Sequence, residues 1–206
     1  MRPSVLARRL VVAVALAPLA LAGCSPADSS SGHPSGHVAG EHASASPAAA
    51  STVLDRLGLG TADAVTAIDA LDRSTEQRPL DVKASVKNDR LELQDAQGER
   101  SLPIPADRFY LSIAPYVTRT HECFAHSLSG CQGEQVDKPV HVTITDTAGK
   151  KLVDADATTW TNGFVGFWVP RGTSGTVTAT IDGKTGSTPF ATTSESPTCP
   201  TTLQLH

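Results

Sequence analysis

The sequence predicts a mostly β fold, a small α+β N-terminal unit followed by a C-terminal β-sandwich, and three observations predict it. Apolar and polar residues alternate in short segments such as Val140-His141-Val142-Thr143-Ile144-Thr145. Turn pairs carrying glycine, Ala148-Gly149, Asn162-Gly163, Arg171-Gly172 and Asp182-Gly183, punctuate the same region. Helical spacing of apolar residues is confined to one short stretch that starts near Thr61. Side chains point to opposite faces along a strand, so two-residue periodicity marks a half-buried sheet, and short strands at regular spacing mark a sandwich.

In chain order, residues 1–23 read as a signal peptide. Arg8 and Arg9 precede Leu10 to Leu21, an apolar run broken only by Pro18, which ends in Leu21-Ala22-Gly23-Cys24. A dozen apolar residues fall short of the roughly 20 that cross a bilayer. Small residues before a cysteine resemble the bacterial lipobox, in which Cys24 becomes the lipid-bearing N-terminus of the mature protein. The competing reading is an ordinary secretory peptide cut nearby. Both place the mature chain outside the cytoplasm, where disulfides persist.

Residues 24–53 are rich in Ser, Ala, Gly, Pro and His and offer no periodic apolar positions. Such a segment cannot bury enough surface to offset chain entropy, so it reads as a flexible tether. His33, His37 and His42 lie in it, as loose metal ligands or as plain linker residues.

Residues 54–107 form the predicted α+β region. Thr61 is placed to cap a helix over about Ala62 to Arg73, with Val65, Ile68 and Leu71 on one face. Val82, Ala84 and Val86 then alternate with polar residues, Asn88-Asp89 makes a turn, and Leu91 and Leu93 complete a hairpin. Residues 108–206 form the predicted sandwich, with strands at Phe109 to Ile113, Val140 to Thr145, Lys151 to Val153, Phe164 to Val169 and Thr176 to Ile181. The run Phe164 to Val169 lacks polar alternation, which predicts burial on both faces, Phe167 included. His141 shares a strand face with Thr143 and is expected at the surface or core edge.

Charge excludes one class of partner. Beyond residue 23 the chain carries 14 Lys+Arg against 21 Asp+Glu. Nucleic-acid binding rests on clustered cations displacing counterions, so no nucleic-acid partner is expected. With 39% apolar and 18% charged residues, the chain is neither a fibre nor a multispan membrane protein.

Apart from Cys24 three cysteines remain, Cys123, Cys131 and Cys199, and an odd number outside the cytoplasm is informative. Two of them fall with two histidines in Thr120-His121-Glu122-Cys123-Phe124-Ala125-His126-Ser127-Leu128-Ser129-Gly130-Cys131. Thiolate with imidazole selects copper(I) or zinc over hard cations. The seven residues between Cys123 and Cys131 match neither a zinc-ribbon CxxC pair, which disfavours zinc, nor a thioredoxin-like redox motif. A Cys123 to Cys131 disulfide closing the loop and a metal site are both open readings, and one loop can do both in turn.

These residues also carry a resemblance. Thr120-His121-x-Cys123-x-x-His126-Ser127-Leu128-x-x-Cys131-x-Gly133-Glu134, followed by Thr198-Cys199-x-Thr201-Thr202-Leu203-x-Leu205, resembles the CueP family of bacterial extracytoplasmic copper-binding proteins. The segments Phe109 to Tyr116 and Asn162 to Pro170 are similar to it too, so the likeness spans roughly Leu54 to Leu205. It implies a copper-resistance or copper-delivery protein whose Cys123, Cys131 and Cys199 bind the metal. His121 and His126 match the motif, and one of them, His126 by preference, is expected to face the thiols, with Phe124 and Leu128 shielding the site.

The leading expectation is therefore a lipid-anchored extracytoplasmic protein that sequesters copper(I) or hands it to a receiving extracytoplasmic protein. No catalytic residue is assigned and no enzyme is expected, because no Ser/His/Asp grouping, phosphate loop or close carboxylate pair stands out. The alternative is a thiol-disulfide or copper-reducing oxidoreductase using the same cysteines. A plain sandwich-type binding module held by one disulfide is the third reading.

Overall fold

The computed structural model describes residues 52–96 and 98–206. The stretch read as a signal peptide, Cys24, and His33, His37 and His42 lie outside the described residues. A short helix α1 (Val53–Arg56), capped reciprocally by Thr52 and Asp55, precedes the single helix expected over about Ala62 to Arg73. Helix α2 (Ala64–Asp72) follows. Its cap is Asp63, not Thr61: the Asp63 carboxylate accepts from the Thr66 N–H at 2.8 Å. Ala64, Ala67, Ile68, Leu71 and Asp72 form its buried face.

Strands β1 (Lys83–Val86) and β2 (Arg90–Asp95) make the expected hairpin, and β3 (Gly98–Pro103) extends it at the edge. On the other side of β1 pairs β5 (His126–Ser127), which belongs to the cysteine-bearing loop. The sheet order is β3-β2-β1-β5. Its apolar face, Val82, Ala84, Val86, Leu91 and Leu93, packs on α1 and α2.

The second sheet has the order β10-β9-β6-β7, all antiparallel, from β6 (Pro139–Asp146), β7 (Lys151–Thr158), β9 (Ser174–Ile181) and β10 (Lys184–Ala191). Between the two cores runs the antiparallel ribbon of β4 (Arg108–Ile113) and β8 (Val165–Pro170). Alternation along β4 sends Phe109, Leu111 and Ile113 into the core shared with Val142, Ile144, Val177 and Ile181, and sends Tyr110 into the helix-bearing core. The layer facing the four-stranded sheet is thus a two-stranded ribbon, and this ribbon joins the two halves. Phe167 is only partly buried, contrary to the expectation for its strand: it packs against the margin of the core that Val165 and Val169 enter fully. His141 is exposed on β6 beside Asp154 and Asp156, as its alternation predicts. No described helix is long and apolar enough to cross a membrane.

Candidate metal centre

The site forms where three chain segments cross. The first is the loop after β4, which brings His121 and Cys123. It is anchored by Glu134, whose carboxylate accepts from the Val117 N–H at 2.6 Å and the Thr118 N–H at 3.0 Å. Those hydrogen bonds, that of the Thr118 hydroxyl first, hold the Glu134 carboxyl down at about 2.

The second segment is β5 and the turn after it. The Leu128 N–H donates to the Ala84 carbonyl at 2.9 Å, and the Leu80 N–H to the Ser129 carbonyl at 2.9 Å, which fixes the turn to the N-terminal sheet. The Cys131 N–H then closes back on the Ser127 carbonyl at 3.0 Å, which presents Cys131 beside Cys123. Beyond it Gly133 meets the turn before β8, where its N–H donates to the Asn162 carbonyl at 2.6 Å. A Cβ at position 133 would stand 2.6 Å from the Gly163 carbonyl oxygen, so this contact requires glycine.

The third segment carries Cys199. Thr198 stitches it to the first segment and to β4: its N–H donates to the Phe124 carbonyl and its carbonyl accepts from the Ser112 N–H, both at 2.9 Å. After it, Leu203 and Leu205 bury in the sandwich core, and Gln204 bridges Tyr116 in parallel.

The result is a gathering of all five sequence-predicted residues. Cys123 Sγ and Cys131 Sγ lie 3.7 Å apart. Two three-ligand groups share Cys123, His121 with Cys123 and Cys131, and His126 with Cys123 and Cys199, each with its donor atoms within 4.8 Å of one another. All three thiols are free. His121 and Cys123 are half-buried, whereas His126 and Cys199 are fully buried. Both histidines pack on Phe164, at ring distances of 6.1 Å for His121 and 4.6 Å for His126. Phe164 forms the apolar floor with Ala114 and Cys199. Phe124 does not shield the site: it is 64% exposed, and the shielding ring is Phe164.

Hydrogen bonding leaves a donor set. His121 Nε2 and His126 Nδ1 are buried and have no hydrogen-bond partner, a costly state unless something accepts their lone pairs or protons. Nε2 of His126 lies 3.0 Å from Asp72 Oδ1. Asp72 also accepts from the Tyr110 hydroxyl at 2.6 Å and from Asn162 Nδ2 at 2.7 Å. Burial disfavours charge on Asp72, yet His126 and these hydrogen bonds hold its carboxyl below the usual range. Burial likewise opposes charge on His126, but the Asp72 carboxylate raises its pKa well above that of free imidazole. Hydrogen bonding from Cys123 and from Cys199, with the charge of His126 nearby, pulls the Cys131 thiol well down, while Cys199, hydrogen-bonded to Cys123 and Cys131 and buried, is pushed up. The three sulfurs sit in unequal surroundings, Cys199 buried and Cys123 and Cys131 half-buried.

Asp72, Tyr110, Asn162 and Phe164 escape the sequence reading of the site. One signal for Asp72 was present: it falls four residues after Ile68 on the apolar face of α2, where a carboxylate needs a buried partner. Gly166 is the quiet member of this set, since a side chain there would collide with the Tyr110 hydroxyl that reaches Asp72.

Comparison with known proteins bears on this arrangement. The model of a family described as periplasmic copper-binding protein CueP matches residues 66–204. Among solved structures, the crystal structure of S.CueP is 42% identical and superposes with a TM-score of 0.70, covering 74% of this chain and 94% of that one. No curated protein matches.

Proposed function

This chain belongs to the CueP family of periplasmic copper-binding proteins, and from that premise we propose that it is a lipid-anchored carrier that captures copper(I) outside the cytoplasm. Its ligands are the thiolates of Cys123, Cys131 and Cys199, with His126 on the buried side and His121 on the outer side. The carrying observation is the convergence of three free thiols and two unpartnered imidazole nitrogens around one sulfur, Cys123.

Soft thiolates with imidazole suit copper(I), which is satisfied by two or three such ligands. Cys123 and Cys131, the two half-buried thiols 3.7 Å apart, are the accessible point of capture. Cys199 and His126 then complete a dry inner position against Phe164. The half-buried outer group leaves the ion reachable by a receiving protein, so storage and delivery both follow from one geometry. Cys24 bears the lipid, and copper is cargo rather than a catalytic cofactor.

A redox reading uses the same atoms. The 3.7 Å separation of Cys123 and Cys131 allows one disulfide, and forming it would release two electrons and two protons, enough to reduce two copper(II) ions to copper(I).

Anaerobic titration of the reduced protein with copper(I) against a competing chelator tests the carrier. Tight one-to-one uptake, lost on replacing Cys123, Cys131 or Cys199 by Ser, is the expected result. No uptake by the reduced protein would overturn it, and sustained turnover of copper(II) with a supplied reductant would favour the oxidoreductase.

A further inference from the structure

We propose that Asp72 is a positioning residue of the copper site: its carboxylate holds the His126 ring with Nε2 turned away from the thiols, so that Nδ1 is the nitrogen that meets the metal. The inference rests on the copper reading above.

The geometry runs through named atoms. Asp72 closes α2, more than 50 residues before the cysteine loop, and is fully buried. Its Oδ1 lies 3.0 Å from His126 Nε2 and accepts from Asn162 Nδ2 at 2.7 Å, and its Oδ2 accepts from the Tyr110 hydroxyl at 2.6 Å. The carboxylate is thus held from two sides before it meets the imidazole. The main-chain N–H of His126 donates to Thr198 Oγ1 at 2.9 Å, and the ring stacks on Phe164. Nδ1 is the remaining buried nitrogen without a partner. A carboxylate behind a ligating imidazole fixes which nitrogen keeps its proton and makes the other a better donor. The arrangement ties the helix-bearing half of the molecule to metal binding.

The test uses the full chain, purified in detergent, reduced and 15N-labelled at histidine, with silver(I) as a diamagnetic stand-in for copper(I). In the loaded wild type, the silver coupling should appear at Nδ1 of His126 while the Nε2 proton persists. Asp72→Asn keeps the shape and can still donate to Tyr110 and accept from His126. It should lower copper(I) affinity about 10- to 100-fold and speed exchange of the Nε2 proton, whereas Asp69→Asn on the same helix should do neither. Silver on Nε2, or a folded Asp72→Asn protein with wild-type affinity and the same Nε2 exchange, would overturn the proposal. If Asp72→Asn does not fold, the wild-type spectrum decides alone. If the wild type takes up neither metal, the copper reading fails, and the slow Nε2 proton of the metal-free protein still reports whether Asp72 holds the ring.

Discussion

The hydroxyl of Thr198 accepts the main-chain N–H of His126 at 2.9 Å and donates to the Val86 carbonyl at 2.8 Å. One side chain thereby fastens the segment bearing Cys199 to β5 and to β1. The distance between Cys199 and the Cys123 loop is set by this buried polar knot, with apolar packing around it.

Replacing Thr198 by Val keeps the volume but strands a buried N–H and a buried carbonyl. The cost should be about 1–3 kcal/mol, read as a lower denaturation midpoint, together with weaker copper(I) uptake. An unchanged midpoint and affinity would show that the knot is dispensable.

Phe164 is fully buried beneath both histidines, whereas Phe167 is partly buried. Phe164→Ala should cost about 3–5 kcal/mol and open the inner position to water, and Phe167→Ala should cost clearly less. Equal losses in urea denaturation would contradict this ordering.

Glu134 supplies the pH dependence of the outer loop. Its folded pKa, about 2, lies below the ordinary value of 4.5. A depressed carboxyl stabilises the fold above its unfolded pKa and loses that contribution as pH falls toward the folded one. The loop at Val117 to Arg119 should therefore stay clamped at pH 5 and release between about pH 4.5 and 2. A carboxyl 13C titration of Glu134 checks this, and a midpoint near 4.5 would refute the clamp.

Cys24 closes the lipobox-like stretch and precedes the first described helix by 28 residues of sequence, 25–52. Cys24→Ser should release the protein from membranes and leave copper stoichiometry intact. Retention in the membrane fraction would refute the anchor.

Elements whose inward positions are large and apolar were legible in the sequence, and those built otherwise were not. The β1–β2 hairpin and β6 show their buried faces as Val, Ala, Leu and Ile at every second position. Strand β10 buries Gly186, Thr188 and Phe190, so its inward face barely registers as hydrophobic, and Pro189 is tolerated because the strand is at an edge. Strand β3 is a polar edge recruited by pairing with β2. The five metal-centre residues could be named because thiol and imidazole are rare and chemically distinct. Asp72 carries only a weaker signal, a carboxylate on the apolar face of α2, which names no partner until the fold places His126 against it, and Phe124 turns out to solvent because sequence proximity to Cys123 does not set the direction of its ring.

The central claim is that cysteines from two distant segments hold one copper(I) ion. X-ray absorption at the copper edge of the anaerobically loaded, reduced protein tests it most directly. Two or three sulfur scatterers at about 2.3 Å, the zinc–thiolate distance taken as a guide, are expected with one nitrogen, together with a loss of sulfur in the Cys199→Ser protein. A shell of nitrogen and oxygen alone, or a spectrum unchanged when Cys123 and Cys199 are both replaced by Ser, would contradict it.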